Sequence, residues 1–396
     1  MLYLLIMSSM AVTSWLLVKF VLPSGLTDEK LPKYASLEGL RGFLASGVLI
    51  SHAFLQREYY SSGIWSYDHL HSVAANMYHF AGSGSVAVFF MITGLLFWGK
   101  VIDQNIQPLS LFKSRVRRIM PLYWFGTLII MALCFAATNF KLTVGLDELV
   151  IAIARWMAGG LLGSPPINGV GTLLINAGVT WTLQYEWIFY ALLPILSRWH
   201  SLRAFCIMLM VYVAACVTIK LTPLHEWAAL MLVALPFFGG MAAAYVTRYL
   251  PCHVPCNITR PVPRYFLTSI KQYPSAQSSV VVLSFLLGAT LYKNGWATVV
   301  AALLVPAFFL IALGNNVFGL LETNWARWLG RISFSIYLLH GIVLYVSLKL
   351  INQISPIAQM SAAHYAVCCM LMSAGAVLVC SASYGLIERK FVQSRR

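Results

Sequence analysis

The chain predicts an all-α, polytopic integral membrane protein with ten core transmembrane helices and one extra N-terminal hydrophobic helix. Three observations carry that expectation. The mean hydropathy is +0.77, and only 10% of the 396 residues are charged, against roughly 25% in a soluble domain. Apolar runs long enough to cross a bilayer recur along the whole length. Lysine and arginine fall mainly in alternate loops between those runs, as positive-inside topology requires.

Met1–Leu22 is apolar and closed by Pro23. No charged segment precedes it and no clean small-residue cleavage site follows, so it is expected to be an uncleaved span. With the linker Pro23–Ser36 it forms an N-terminal unit, residues 1–36, ahead of a membrane domain over 37–388 and a basic tail over 389–396. Glu38–His52 reads as the first core helix. Gln56–Gly82 is polar and aromatic and reads as an outer segment. Ser85–Trp98 returns inward to the densest basic loop, Gly99–Arg118, with the Gly82–Ser85 turn as its helix start. Pro121–Ala137 goes out. Thr138–Val179 is external, with a re-entrant or interfacial helix near Leu149–Leu162. Thr180–Leu196, Ala204–Leu221, Ala228–Val246, Ser278–Tyr292, Ala297–Leu313, Ile332–Leu350 and Ala362–Leu386 supply the remaining spans, with an amphipathic inner segment at Asn315–Arg331.

The 27 Lys and Arg residues test this topology. Lys19 and Lys349 lie inside spans. Of the others, five (Arg57, Lys141, Arg155, Lys220 and Lys293) fall outside and the remaining 20 inside. That asymmetry orients the bundle and places the C-terminus in the cytoplasm. It also accounts for the formal charge of +15: no compact basic domain is present, so nucleic acid is not an expected partner. Six cysteines sit in apolar runs as ordinary buried thiols. Cys252 and Cys256 flank His253 with unusual spacing and no fourth ligand, and the loop reads as cytoplasmic, so neither a metal site nor a disulfide is expected.

Candidate chemistry begins at Arg41 and His52. Eleven residues at 100° each come within about 20° of three full turns, so both share one helix face, roughly 16 Å apart along the axis. A cation near one membrane surface and an imidazole at mid-depth are costly in lipid and read as functional; the bland alternative is a snorkelling arginine and a bonded histidine. Glu186, in WTLQYEWIFY, is a carboxylate inside a span and needs a cation or a network; His52 or Arg41 are economical partners. Arg115 and Arg118, at i,i+3, offer two guanidinium forks suited to phosphate oxygens, or to anionic lipid. His340 lies in an outward span and taken alone reads as a packed histidine. His69, His71 and His79 raise the question of metal, but i,i+2 spacing separates the first two on a helix. No nucleophile elbow, Walker A, H-E-x-x-H or G-x-G-x-x-G pattern is present.

Laid out in this order, the chain resembles the membrane acyltransferase 3 family of polytopic O-acyltransferases that modify glycans. LEGLRG with His52 is similar to the family's opening motif and its arginine-x10-histidine helix. GSVAVFFMITGLLF, RVRRIMPLYW, WTLQYEWIFYALLP and ISFSIYLLH resemble its later segments, with Thr93 and Thr182 where serine is usual. The resemblance runs over roughly Leu37–Ile387. It implies transfer of an acyl group, usually acetyl, from cytoplasmic acyl-CoA to a hydroxyl of a cell-surface or lipid-linked glycan, in the bacterial cytoplasmic (inner) membrane. It assigns His52, Arg41 and Glu186 to catalysis, with His52 as general base or acyl carrier, and Arg115, Arg118 and Tyr123 to the donor. Glu38, Tyr337 and His340 become additional candidates, and no metal is implied. Some family members carry an esterase-like domain after the spans; none is expected here. The rival reading is a proton-coupled transporter or flippase with Arg41, His52 and Glu186 as the relay; a third is a scaffold whose buried charges only set helix register.

Overall fold

A computed structural model describes residues 1–22, 34–104, 107–223, 225–249, 273–292 and 303–392. Among them there is no strand other than an isolated bridge between Ile167 and Val170, and eight helices are long and apolar enough to cross a membrane. Three further expected spans are not among the eight. The first core helix, α2 (Ala35–Ser62), is long enough but rich in glycine, serine and charged residues. The span expected at Thr180–Leu196 forms a helix of 16 residues, Trp181–Leu196, just short of a full crossing. Of Ala297–Leu313 only residues 303–313 are described, with a short helix over Val305–Ala312; Cys252, His253 and Cys256 lie outside the described residues.

The N-terminal helix α1 (Leu2–Leu16) continues through a π-helical turn to Val21. It buries Leu2, Ile6 and Met10, spaced four residues apart on one face, and leaves Leu4, Val12 and Phe20 exposed. Ser9 Oγ donates to the Met370 carbonyl at 2.7 Å, which fixes α1 on α13 (Ala362–Ser383).

The centre of the bundle is α2. Buried residues occupy almost every position from Ser36 to Gln56, the signature of a helix packed on all sides. Small residues permit that packing. A Cβ at Gly42 would meet Ala326 and Leu329, and one at Gly330 would meet the Glu38 carbonyl. The backbones of α2 and α11 (Asn324–Arg331) therefore approach closely, as glycine-lined membrane helices do. The same contact carries an ion-pair cluster, with the Glu38 carboxylate 3.3 Å from Arg331 Nε and 3.6 Å from Arg327 Nε.

On its other side α2 meets α3 (Val73–Ile102), capped by Ser72, whose hydroxyl accepts from the Ala75 N–H. The helix start therefore lies at Ser72, not at the Gly82–Ser85 turn, which is inside α3. Only residues 63–72 remain as connector, because a helix keeps its backbone hydrogen bonds internal whatever the polarity of its end turns. At Gly94 and Gly240, α3 crosses α8 (Leu235–Tyr249) with each glycine facing the other helix's backbone. The helices α4 (Pro108–Ala137), α6 (Trp181–Leu196) and α12 (Ser333–Ile354) complete the inner ring around the site.

The region expected to be external holds α5 (Leu146–Met157), which buries Leu149, Ala152 and Trp156 along one stripe. This is the interfacial type of helix, not a span. Asn168 ties the segment together. Its side chain accepts from the Thr143 N–H at 2.9 Å and donates to Thr138 Oγ1 and the Lys141 carbonyl at 2.8 and 2.7 Å.

Candidate active site

His52 on α2 and His340 on α12 meet at the middle of the bundle. Their nitrogens, His52 Nδ1 and His340 Nε2, are 2.8 Å apart. The ring planes differ by only 6° with centroids 5.1 Å apart, so the rings lie edge to edge, with the hydrogen bond in their common plane. On the far edge, His340 Nδ1 is 2.8 Å from the Ile336 carbonyl one turn earlier. A carbonyl only accepts, so His340 Nδ1 carries the hydrogen and, in the neutral ring, Nε2 carries the lone pair. His52 Nδ1–H must then be the donor between the rings. The remaining nitrogen, His52 Nε2, is left with a lone pair, as a general base or nucleophile requires. Trp65, from the connector after α2, lies near-parallel to the His52 ring at 6.0 Å.

Eleven residues earlier on α2, Arg41 lines a cleft of about 810 Å³, open mouth included, between α2, α3, α4, α6 and α12. Arg115 and Arg118 of α4 and Glu186 of α6 line it too. Glu186 accepts from the Tyr190 hydroxyl at 2.8 Å, one turn along the same helix. Arg115 lies 4.9 Å above the Phe97 ring, and its Nε is buried without a hydrogen-bond partner. The wall thus presents three guanidinium groups and a single carboxylate, a surface built for a polyanion.

The cleft reaches as far as Tyr337 and Thr182. There the Tyr337 hydroxyl is 2.7 Å from Thr182 Oγ1 and 3.1 Å from the Val179 carbonyl. The Tyr337 ring is 6.5 Å from His340. Tyr337 and Thr182 therefore stand between the arginine cleft and the histidine pair.

The structure brings together Arg41, Arg115, Arg118, Glu186 and Tyr337, and joins His52 to His340. It does not pair Glu186 with His52: the carboxylate is bonded to Tyr190 at the arginine cleft, and the histidine to His340. Tyr123 lies outside that cleft, lining a smaller cavity with Thr127 and Asn176 on the other side of α12. Glu38 belongs to the α2–α11 ion-pair cluster. Sequence reasoning missed Glu388, a buried carboxylate hydrogen-bonded by Ser335. The sequence carries no comparable signal there: Glu388 ends the apolar run and is followed at once by Arg389 and Lys390, so it reads as a charge at the start of the basic tail. Among the described residues no three His, Cys, Asp or Glu side chains converge as a metal site.

Paired imidazoles on α2 and α12 thus stand near a cleft lined by three guanidinium groups and one carboxylate. Comparison with known proteins specifies the class. Residues 34–381 match the acyltransferase domain family, and the chain belongs to it. A stretch of 122 residues is 29% identical to the exopolysaccharide production protein ExoZ of Rhizobium meliloti (strain 1021), covering 31% of this chain and 36% of that protein. The chain thus aligns with about a third of that relative's length. No solved structure matches.

Proposed function

We propose that the protein is an O-acyltransferase that moves an acyl group, acetyl in the simplest case, from cytoplasmic acyl-CoA to a hydroxyl of a cell-surface or lipid-linked glycan. The observation that carries this reading is the chain of hydrogen bonds from His52 through His340 to the Ile336 carbonyl, which leaves His52 Nε2 free to take a proton. The relative concerned with exopolysaccharide supports a glycan as acceptor, and the positive-inside count supports donor entry at the Arg41 end. That count and the bacterial relative also favour the inner membrane, with the C-terminus in the cytoplasm.

In this reading Arg41, Arg115 and Arg118 hold the phosphates of the donor, and its thioester arm runs along the cleft toward Tyr337. Passage to the histidines requires the Tyr337–Thr182 contact to open. The acceptor hydroxyl gives its proton to His52 Nε2 while its oxygen attacks the thioester carbonyl. The bond from carbonyl carbon to sulfur breaks, an ester forms, and the departing thiolate takes the proton back from His52. His340 Nε2 steadies the imidazolium that exists between the two proton transfers, much as the carboxylate of a serine-protease triad does for its histidine. The transport alternative asks Arg41, His52 and Glu186 to pass a proton, yet Glu186 and His52 are bonded to other partners, so the acyltransferase reading has the better support.

The test is His52→Ala, reconstituted in proteoliposomes with acetyl-CoA and the surface glycan of a strain deleted for the gene. Acyl transfer and coupled thiol release should vanish while membrane insertion persists. Retained transfer would overturn the assignment of His52.

A further inference from the structure

Glu388 lies beyond the residues matched to the family, and the chemistry described so far does not use it. It sits in a π-helical turn, Tyr384–Glu388, that continues α13. Ser383 and Glu388 are five residues apart, which on an α-helix would separate them by about 140°. The i to i+5 winding of the π turn brings them to one face, and both are buried while Leu386 is exposed. That face meets α12. Ser335 Oγ donates to Glu388 Oε1 and lies 3.5 Å from Ser383 Oγ.

Ser335 is fully buried, whereas its neighbours Ser333, Phe334 and Tyr337 line the cleft. Glu388 therefore stands behind the cleft wall, where its charge interacts with those of Arg118 and Arg41. Glu38 also acts on Arg41, but it is already held by Arg331 and Arg327; of the two acids left, Glu186 and Glu388, only Glu186 is on the wall. Counting both, three guanidinium groups face two carboxylates, a net charge of +1 instead of the +2 that the wall alone presents.

We propose that Glu388 is a positioning residue of the anion cleft: from behind the wall it offsets one guanidinium charge and so limits how tightly the cleft holds the phosphates of the donor and of its thiol product. This rests on the reading of the cleft as the acyl-CoA site. Two charges about 10 Å apart at an effective dielectric near 20 interact strongly enough to change binding on the order of tenfold. A cleft at +2 would retain the product and slow turnover, so the counter-charge keeps release fast.

The experiment compares wild type, Glu388→Gln and Glu388→Asp as full-length protein in proteoliposomes. Calorimetry measures Kd for CoA, and kinetics compare acetyl-CoA with S-acetylpantetheine, which carries the thioester arm without phosphates. Glu388→Gln should tighten CoA binding about tenfold, lower kcat with acetyl-CoA, and leave S-acetylpantetheine kinetics within about twofold. Glu388→Asp should restore the wild-type values. An unchanged Kd for CoA, or a parallel change with both substrates, would overturn the proposal. Should Glu388→Gln not fold, Arg118→Gln is compared with the Arg118→Gln, Glu388→Gln pair. The single variant should lose CoA affinity and the pair regain most of it; no recovery overturns the proposal. Absence of CoA binding by the wild type would instead sink the donor reading, whatever Glu388 does.

Discussion

Replacing His340 by alanine isolates what the histidine pair contributes. His52 Nδ1–H would lose its acceptor at 2.8 Å, in a site where His340 itself is fully buried. Leaving a buried donor unsatisfied costs about 1–3 kcal/mol. The imidazole can avoid that cost by moving its hydrogen to Nε2, the tautomer with no lone pair at the reacting nitrogen. At about 1.4 kcal/mol per decade, the competent tautomer becomes about 5- to 150-fold less favoured. Loss of support for the imidazolium adds to this, so kcat should fall about 10- to 100-fold or somewhat more. KM for acetyl-CoA should stay within about twofold, because the change lies beyond Tyr337 and away from the arginine wall. Thiol release coupled to glycan acylation gives both constants. The His52→Ala, His340→Ala double variant should be no slower than His52→Ala alone, since His340 acts only through His52. Wild-type kcat in His340→Ala, or a loss confined to KM for the donor, would refute the relay.

Two further outcomes follow from the same geometry. Arg118→Gln should raise KM for acetyl-CoA roughly tenfold, with a smaller effect on kcat, because one of three guanidinium groups leaves the phosphate wall; steady-state kinetics at two salt concentrations check it, the defect shrinking at high salt. Gly330→Ala should cost at least about 2 kcal/mol and lower the melting temperature in detergent, since the new methyl meets the Glu38 carbonyl and the α2–α11 contact must separate.

Much of the bundle is legible from composition and hydropathy because each transmembrane helix satisfies its own backbone and advertises itself as a local apolar run. The N-terminal helix, an interfacial helix near Leu149–Leu162 (found at Leu146–Met157) and the span bearing His340 follow from such local signals. Arg115 and Arg118, expected in a basic loop before a span opening at Pro121, instead lie inside α4, which starts at Pro108 and runs through Pro121. Helix ends are less legible. The Ser72 start of α3 and the extension of α2 to Ser62 lie in polar or aromatic stretches, where tertiary contacts such as Tyr67 with Ser51 at 2.9 Å override composition. Glu388 went unread because its burial depends on a π turn, which no period-3.6 pattern reveals.

That the chain is a membrane bundle, and that Arg41 and His52 share one face of one helix, can be read from the residues in order. Covalent spacing on a helix leaves no freedom in that relation. What each of them meets depends on the packed bundle: His340, 288 positions away along the chain, for the histidine, and a wall shared with Arg115, Arg118 and Glu186 for the arginine. Buried charges announce that they need partners but not which ones. The choice is made by how closely helices pack, here through bare backbone contacts at Gly42 and Gly330, and that closeness is a property of the assembled bundle.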